Sequence, residues 1–170
     1  MIIMTTILLL AGGKSTRMGQ DKAMMNGGVN RLLSIYSQLG AQRIITLCGE
    51  RSRIELFEGE VWPDPDEVTG PLELIKWCLT KIEGDIQLIP CDAFNLLETG
   101  ADWLLNQESG VPVDSSMQRQ PLMSRITNRD SIDIKATTLN DLFAKFPSLQ
   151  DDNYSSQFSN FNTKSELIEN

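Results

Sequence analysis

Apolar residues fall along this chain in two rhythms, one suited to strands and one to helices. Thr6-Ile-Leu-Leu-Leu10 is a short continuous apolar run that stops at glycines, the pattern of a parallel strand covered on both faces, and it predicts the centre of a sheet. Arg31 to Leu39 carries Leu32, Leu33, Ile35, Tyr36 and Leu39 at helical spacing and ends at Gly40, a favoured helix stop. Arg43 to Leu47 then reads as a second strand. Pro71 suits the first turn of a helix whose apolar side is Leu72, Leu74, Ile75, Cys78, Leu79 and Ile82, with Gly84 at its end. Asp85 to Pro90 predicts the next strand, Leu96 to Gln107 a helix, and Gln120 to Ile126 a further strand. Thr138 with Asp141 forms an acidic variant of the capping box before Leu142, Phe143 and Phe146, and Thr163 with Glu166 repeats that signal. Asp151 to Ser159 is polar and predicts a loop; there is no internal repeat and no linker.

Strands alternating with helices imply an α/β fold, with a mostly parallel sheet between two helical layers and ligands at the carboxyl ends of the strands. The 170 residues fit one domain spanning 1–170. The longest apolar stretch, residues 1–11, covers about half a membrane span. No basic residues precede it, and Lys14 and Arg17 follow it, which favours a buried strand over a secretory leader and predicts a cytoplasmic protein without a membrane partner.

Composition narrows the chemistry. The chain has no histidine, which removes histidine triads, imidazole zinc sites and the commonest general base. Cys48, Cys78 and Cys91 are scattered and odd in number, so they read as buried thiols rather than disulfides or a thiolate metal site. Net charge is −8, but residues 1–53 hold seven Lys/Arg against two Asp/Glu, while the rest holds eight against twenty-one. A local basic region in an acidic protein suits a compact polyanion such as a triphosphate, and disfavours nucleic acid, which requires an extended positive face.

The polar segment after the first strand carries the most chemistry. Gly12 and Gly13 allow backbone amides to approach phosphate oxygens, and Lys14, Arg17 and Lys22 add three cations within one loop. A glycine pair alone would equally suit a tight turn with solvated charges; the cations shift the reading toward phosphate. Gly13-Lys14-Ser15 ends like a Walker A sequence, but its earlier glycine would fall at Leu8, inside the strand, and the GxGxxG dinucleotide fingerprint is absent.

Leu9-Leu10-Ala-Gly-Gly-Lys-Ser-Thr-Arg-Met-Gly-Gln-Asp-Lys22 resembles the LxxGGxxxRMGxDK signature of the molybdenum cofactor guanylyltransferase family and its nucleotidyltransferase relatives. Four further blocks follow in order: Asp64 with Gly70-Pro71-Leu72, Cys91-Asp92, Gln120-Pro121-Leu122, and Asn160-Phe-Asn-Thr163. The resemblance implies a three-layer, Rossmann-like nucleotidyltransferase fold that transfers GMP from GTP to molybdopterin and releases pyrophosphate. It places the triphosphate at Leu10, Ala11, Gly12, Gly13 and Lys14, with Arg17 and Lys22 neutralising phosphate charge. It places guanine or ribose at Asp64, Gly70, Pro71 and Leu72. Asp92 would ligate Mg²⁺, a cation that prefers carboxylate, phosphate and water oxygens, although an aspartate there also suits an N-cap or surface turn. Asn160 and Asn162 would face the acceptor, or serve as turn residues before the helix capped by Thr163. The implied partners are GTP or another nucleoside triphosphate, a phosphorylated small-molecule acceptor, and other molybdenum cofactor biosynthesis proteins.

The chain departs from the family pattern at Gly27-Gly-Val-Asn-Arg-Leu32, at Cys48 in place of a common base-contacting asparagine, at Glu73 and at Ala93-Phe94. The stretch between Ile126 and Asn160 is short and lacks a glycine-arginine loop. These departures leave open a cytidylyltransferase or sugar-phosphate nucleotidyltransferase of the same fold, and a family member that binds nucleotide or protein without turnover.

Overall fold

A computed structural model describes residues 3–13 and 22–159 of the chain. Strand β1 (Ile3–Leu10) is followed by a 3-10 turn at Lys22–Gly27, helix α1 (Gly28–Gln38), β2 (Ala41–Gly49), β3 (Glu60–Pro63), α2 (Gly70–Lys81), β4 (Asp85–Pro90) and α3 (Glu98–Leu105). Then come β5 (Val111–Pro112), β6 (Arg125–Ile126), α4 (Leu139–Leu142) and β7 (Ser148–Leu149). The main sheet has the order β3-β2-β1-β4-β6; β1, β2, β3 and β4 are mutually parallel, and β6 pairs antiparallel with β4. β1 lies at the centre, as its uninterrupted apolar run predicts.

Successive strand residues point to opposite faces, so β1 feeds two cores. Ile7 and Leu9 join Val29, Leu32 and Tyr36 of α1 and Leu104 of α3 on one face. Leu8 joins Leu74, Ile75 and Cys78 of α2 and Leu142 of α4, with Phe143 and Phe146, on the other. These helix–sheet–helix layers form the expected three-layer α/β fold, and its parallel strands bring their carboxyl ends to one edge. Leu10 of β1 sits in register with Leu47 of β2 and with Pro90 of β4, which aligns the residues that follow each strand.

Several expected boundaries shift. The helix predicted from Arg31 begins three residues earlier, at Gly28, and the one predicted over Leu96 to Gln107 contracts to Glu98–Leu105. Gln120 to Ile126 is mostly not a strand: Pro121, which lacks an N–H, opens a 3-10 turn through Met123, and only Arg125 and Ile126 pair with β4. The polar stretch Asp151 to Ser159 includes a 3-10 turn at Ser155–Phe158 whose Phe158 is fully buried, so this stretch is docked on the core. Cys48 and Cys78 are buried as expected, whereas Cys91 is half-buried. Thr138 does cap α4, its Oγ1 accepting from the Asp141 amide at 3.1 Å. The second capping signal, Thr163 with Glu166, lies outside the described residues. Among the described residues, no helix is long and apolar enough to cross a membrane.

Candidate functional site

The ends of β1 and β2 approach more closely than side chains would permit. A Cβ on Gly12 would stand 3.0 Å from the Gly49 Cα, and a Cβ on Gly49 would stand 2.6 Å from the Gly12 carbonyl oxygen. Gly49 is also left-handed, at φ 82°, whereas neither Gly12 nor Gly13 takes a positive φ. Glycine is therefore needed at 12 for the close backbone crossing rather than for a left-handed turn. Gly13 is exposed, and a Cβ there would meet nothing within 4 Å among the described residues.

Arg53 braces this crossing from within. Only 4% exposed, it donates from Nε to the Cys48 carbonyl and from Nη2 to the Ala11 carbonyl, both at 2.8 Å, and its guanidinium lies over the Phe57 ring. Two strand-end carbonyls thus accept charge-assisted bonds from one buried guanidinium. The Gly49 carbonyl accepts from the Asp64 amide at 2.8 Å, which ties the exit of β3 to the same crossing.

In front of it lies a cleft of ≈ 390 Å³ lined by Leu10, Gly12, Gly13, Asp64, Gly70, Pro71 and Leu74. Six of these seven are residues singled out from the sequence, drawn from three separate segments. Ala11 does not line the cleft but is buried in the core beneath it, and Leu72 packs against the α2-side core, while Leu74 takes the cleft wall. Gly70, left-handed at φ 78°, starts α2, whose N-terminus faces the cleft with Pro71 in its first turn. Asp64 also borders a second cleft of ≈ 340 Å³ with Gly49, Glu50, Arg51, Pro65, Asp66 and Val68. Among the described residues one Asp64 carboxylate oxygen, Oδ1, is buried without a hydrogen-bond partner, and burial pushes this carboxyl above its ordinary range.

Asp92 stands one residue beyond the hydrogen bond from the Cys91 amide to the Leu10 carbonyl, 3.0 Å, and so at the same sheet edge as the glycine crossing. It is 9% exposed and lies outside the lining of the larger cleft. Its turn is stitched together: the Ala93 amide donates to the Pro90 carbonyl and the Leu96 amide to the Ala93 carbonyl. Arg31 of α1 reaches across to this turn, donating from Nη2 to the Ala93 carbonyl at 2.6 Å and from Nη1 to the Leu96 carbonyl at 2.7 Å. Lys22 opens the 3-10 turn that runs into α1, its backbone alone being described. Lys14, Arg17, Asn160 and Asn162 lie outside the described residues. Among the described residues no three carboxylates or thiols gather as a metal cluster.

Gly49, Arg53 and Arg31 are not among the candidate site residues of the sequence, and Leu74 stands there only as part of an apolar helix face. A glycine directly after an apolar strand was the available clue for Gly49, since two parallel strands ending in glycine at one register can cross at van der Waals distance.

Comparison with known proteins bears on the fold and the family. Two curated relatives, each a probable molybdenum cofactor guanylyltransferase from Synechococcus (one from Synechococcus elongatus), are 36% identical over 94 residues. The aligned part is 50% of this chain and 48% of each relative, so the chain spans about half the length of the curated relatives it matches. Among solved structures, molybdopterin-guanine dinucleotide biosynthesis protein A from Archaeoglobus fulgidus superposes with a TM-score of 0.69 at 17% identity, covering 96% of this chain and 95% of that one. A nucleotidyl transferase from Methanothermobacter superposes at 0.68 with 14% identity, covering 98% and 95%. At such identities these two likenesses establish the fold alone. The family model does more: residues 7–146, which include the glycine crossing, the cleft and the Asp92 turn, match it, and the chain belongs to the MobA-like NTP transferase domain family.

Proposed function

We propose that this chain, acting as one nucleotidyltransferase unit, transfers GMP from GTP to the phosphate of molybdopterin and releases pyrophosphate. The observation that carries the reading is the convergence of Leu10, Gly12, Gly13, Asp64, Gly70 and Pro71, from three segments of the chain, on one cleft at the carboxyl edge of a parallel sheet. Ligands of such sheets bind at that edge.

In this reading the main chain at Gly12 and Gly13 lies along the phosphates, with Lys14, Arg17 and Lys22 supplying positive charge. Asp64, with its unpartnered Oδ1, and the backbone at Gly70 hold the nucleoside end. A buried oxygen with no donor accepts from the ring N–H and amino donors of guanine or from ribose hydroxyls. Leu72 shapes that end from behind, and Ala11 fixes the turn. Asn160 and Asn162 face the acceptor.

The donor set fits magnesium. Mg²⁺ is commonly held by one or two carboxylates together with substrate phosphates and water, so a single buried carboxylate at the strand ends meets the protein's share. Bound there, the ion would screen the phosphoryl oxygens as charge moves onto them. The chain's residues hold acceptor and nucleotide in line and keep the reacting phosphate shielded from competing water. An oxygen of the acceptor phosphate bonds to the α-phosphorus as the bond to the pyrophosphate oxygen breaks. That oxygen is already anionic near neutral pH, so the absence of histidine from the chain costs the reaction nothing.

Thermal stabilisation by GTP, CTP, ATP and UTP, each with and without Mg²⁺, tests the proposal. GTP with Mg²⁺ is expected to raise the melting temperature most, followed by pyrophosphate release when molybdopterin is added. A cytosine preference would reassign the base, and stabilisation by none of the four would end the nucleotide reading.

A further inference from the structure

Arg31 stands where a helix meets the turn that carries Asp92, and its guanidinium is committed to that turn. Nη2 donates to the Ala93 carbonyl at 2.6 Å and Nη1 to the Leu96 carbonyl at 2.7 Å, across more than sixty residues of sequence. These bonds close on the residue directly after Asp92 and on the last residue before the lead-in to α3. Both Ala93 and Leu96 are fully buried, so their carbonyls have no water to turn to. A planar fork that meets two carbonyls fixes direction as well as distance, which a single ammonium could not do.

The other end of the linkage is equally constrained. α1 grows directly from the 3-10 turn that Lys22 opens, and the junction is tight: a Cβ on Gly27 would stand 3.2 Å from the Arg31 Cβ, and Gly28 is left-handed at φ 57°. Arg31 therefore joins the element that begins at Lys22 to the turn that presents Asp92.

We infer that Arg31 is a positioning residue: it sets the orientation of the Asp92 turn relative to the Lys22 element, and thereby the metal-dependent part of nucleotide binding. The inference rests on the reading of Asp92 as the Mg²⁺ ligand given above. It concerns how that carboxylate is held and assigns Arg31 no contact with substrate.

The test measures the dissociation constant for GTP in Mg²⁺ and in EDTA, and takes the ratio, for the wild-type chain, Asp92→Asn, Arg31→Met and Arg31→Lys. Partners that orient a metal ligand typically cost about 10- to 100-fold when removed. Arg31→Met is expected to lose about tenfold of the Mg²⁺-dependent gain, while its affinity in EDTA stays within about twofold of wild type. Arg31→Lys, which keeps the charge and can reach one carbonyl, is expected to lie between, and it carries the test alone should the methionine variant fail to fold. If Arg31→Met weakens both affinities equally, so that the ratio is unchanged, the residue is merely structural and the inference falls. If the gain vanishes in Asp92→Asn but persists in both Arg31 variants, the inference falls while the metal reading stands. If Asp92→Asn keeps the wild-type ratio, the metal reading itself fails and takes the inference with it.

Discussion

At the scale of single residues, Asp64 shows most directly how a site weakens the free protein. Its carboxyl has a buried, unpartnered oxygen, and burial raises its pKa above the ordinary value of 3.8. For a group raised in the folded state, the favourable contribution is fully present below the unfolded value and is lost as pH rises through the folded one. At neutral pH the ionised Asp64 therefore opposes folding. Asp64→Asn should raise the melting temperature by about 1–3 °C near pH 7 but not near pH 3, and should weaken stabilisation by GTP. An identical shift at both pH values, read by calorimetry, would show that ionisation is not the cause. Asp64 was marked in the sequence only by the family resemblance, through its place ahead of Gly70-Pro71-Leu72. Arg53 was not: an arginine in a polar stretch carries no mark of burial, and only the folded chain puts the Ala11 carbonyl, 42 positions away, within its reach.

Among the elements, α3 is a helix whose start is completed by the tail. Its N-cap residue, Leu97, has no side-chain acceptor to offer. Gln157, 7% exposed, supplies one instead: its Oε1 accepts from the Leu97 amide at 2.9 Å and from the Gly100 amide at 3.0 Å, and its Nε2 donates to Thr99 Oγ1. Trp103 then stacks on Tyr154 with centroids 5.4 Å apart. A Cβ on Gly100 would collide with the Gln157 amide and displace it. Gly100→Ala and Gln157→Ala should each cost about 1–3 kcal/mol, because both leave the same amides unmet, and the double variant should cost little more than either alone. Additive losses in urea denaturation would refute the shared contact. β1, α1, α2 and β4 could be read from sequence because a continuous apolar run or helical spacing marks what each of them buries. The two-residue strands β5 and β7 and the docked stretch through Phe158 could not, and only the last two residues of the strand expected over Gln120 to Ile126 became β6, since their conformation is decided by partners distant in the chain.

For the molecule as a whole, the basic excess of the first 53 residues needs reapportioning. Of its seven cations, Arg31 and Arg53 serve main-chain carbonyls and Arg43 pairs with Glu60 at 2.9 Å. Arg119 and Arg129 likewise hold carbonyls, of Phe143 and Phe146 and of Leu79, Ile82 and Gly84. Composition suggested a polyanion beside the N-terminal third, but it counted as free several charges that the fold uses as internal ties. The two cores, fed by alternate residues of one strand, should melt together. Leu8→Ala and Leu9→Ala, on opposite faces, are each expected to cost about 2–5 kcal/mol and to leave a single thermal transition; two separable transitions in either variant would contradict a common cooperative unit. The borders of the sheet carry a last consequence. One is β3, four residues that begin with a charged Glu60 and finish at Pro63, which has no amide to offer, and the other is β6, two residues long. A neighbouring chain seeking to prolong the ladder finds at either margin a foothold too brief to grip, so crowding should not readily drive these molecules into fibrils through their sheet margins.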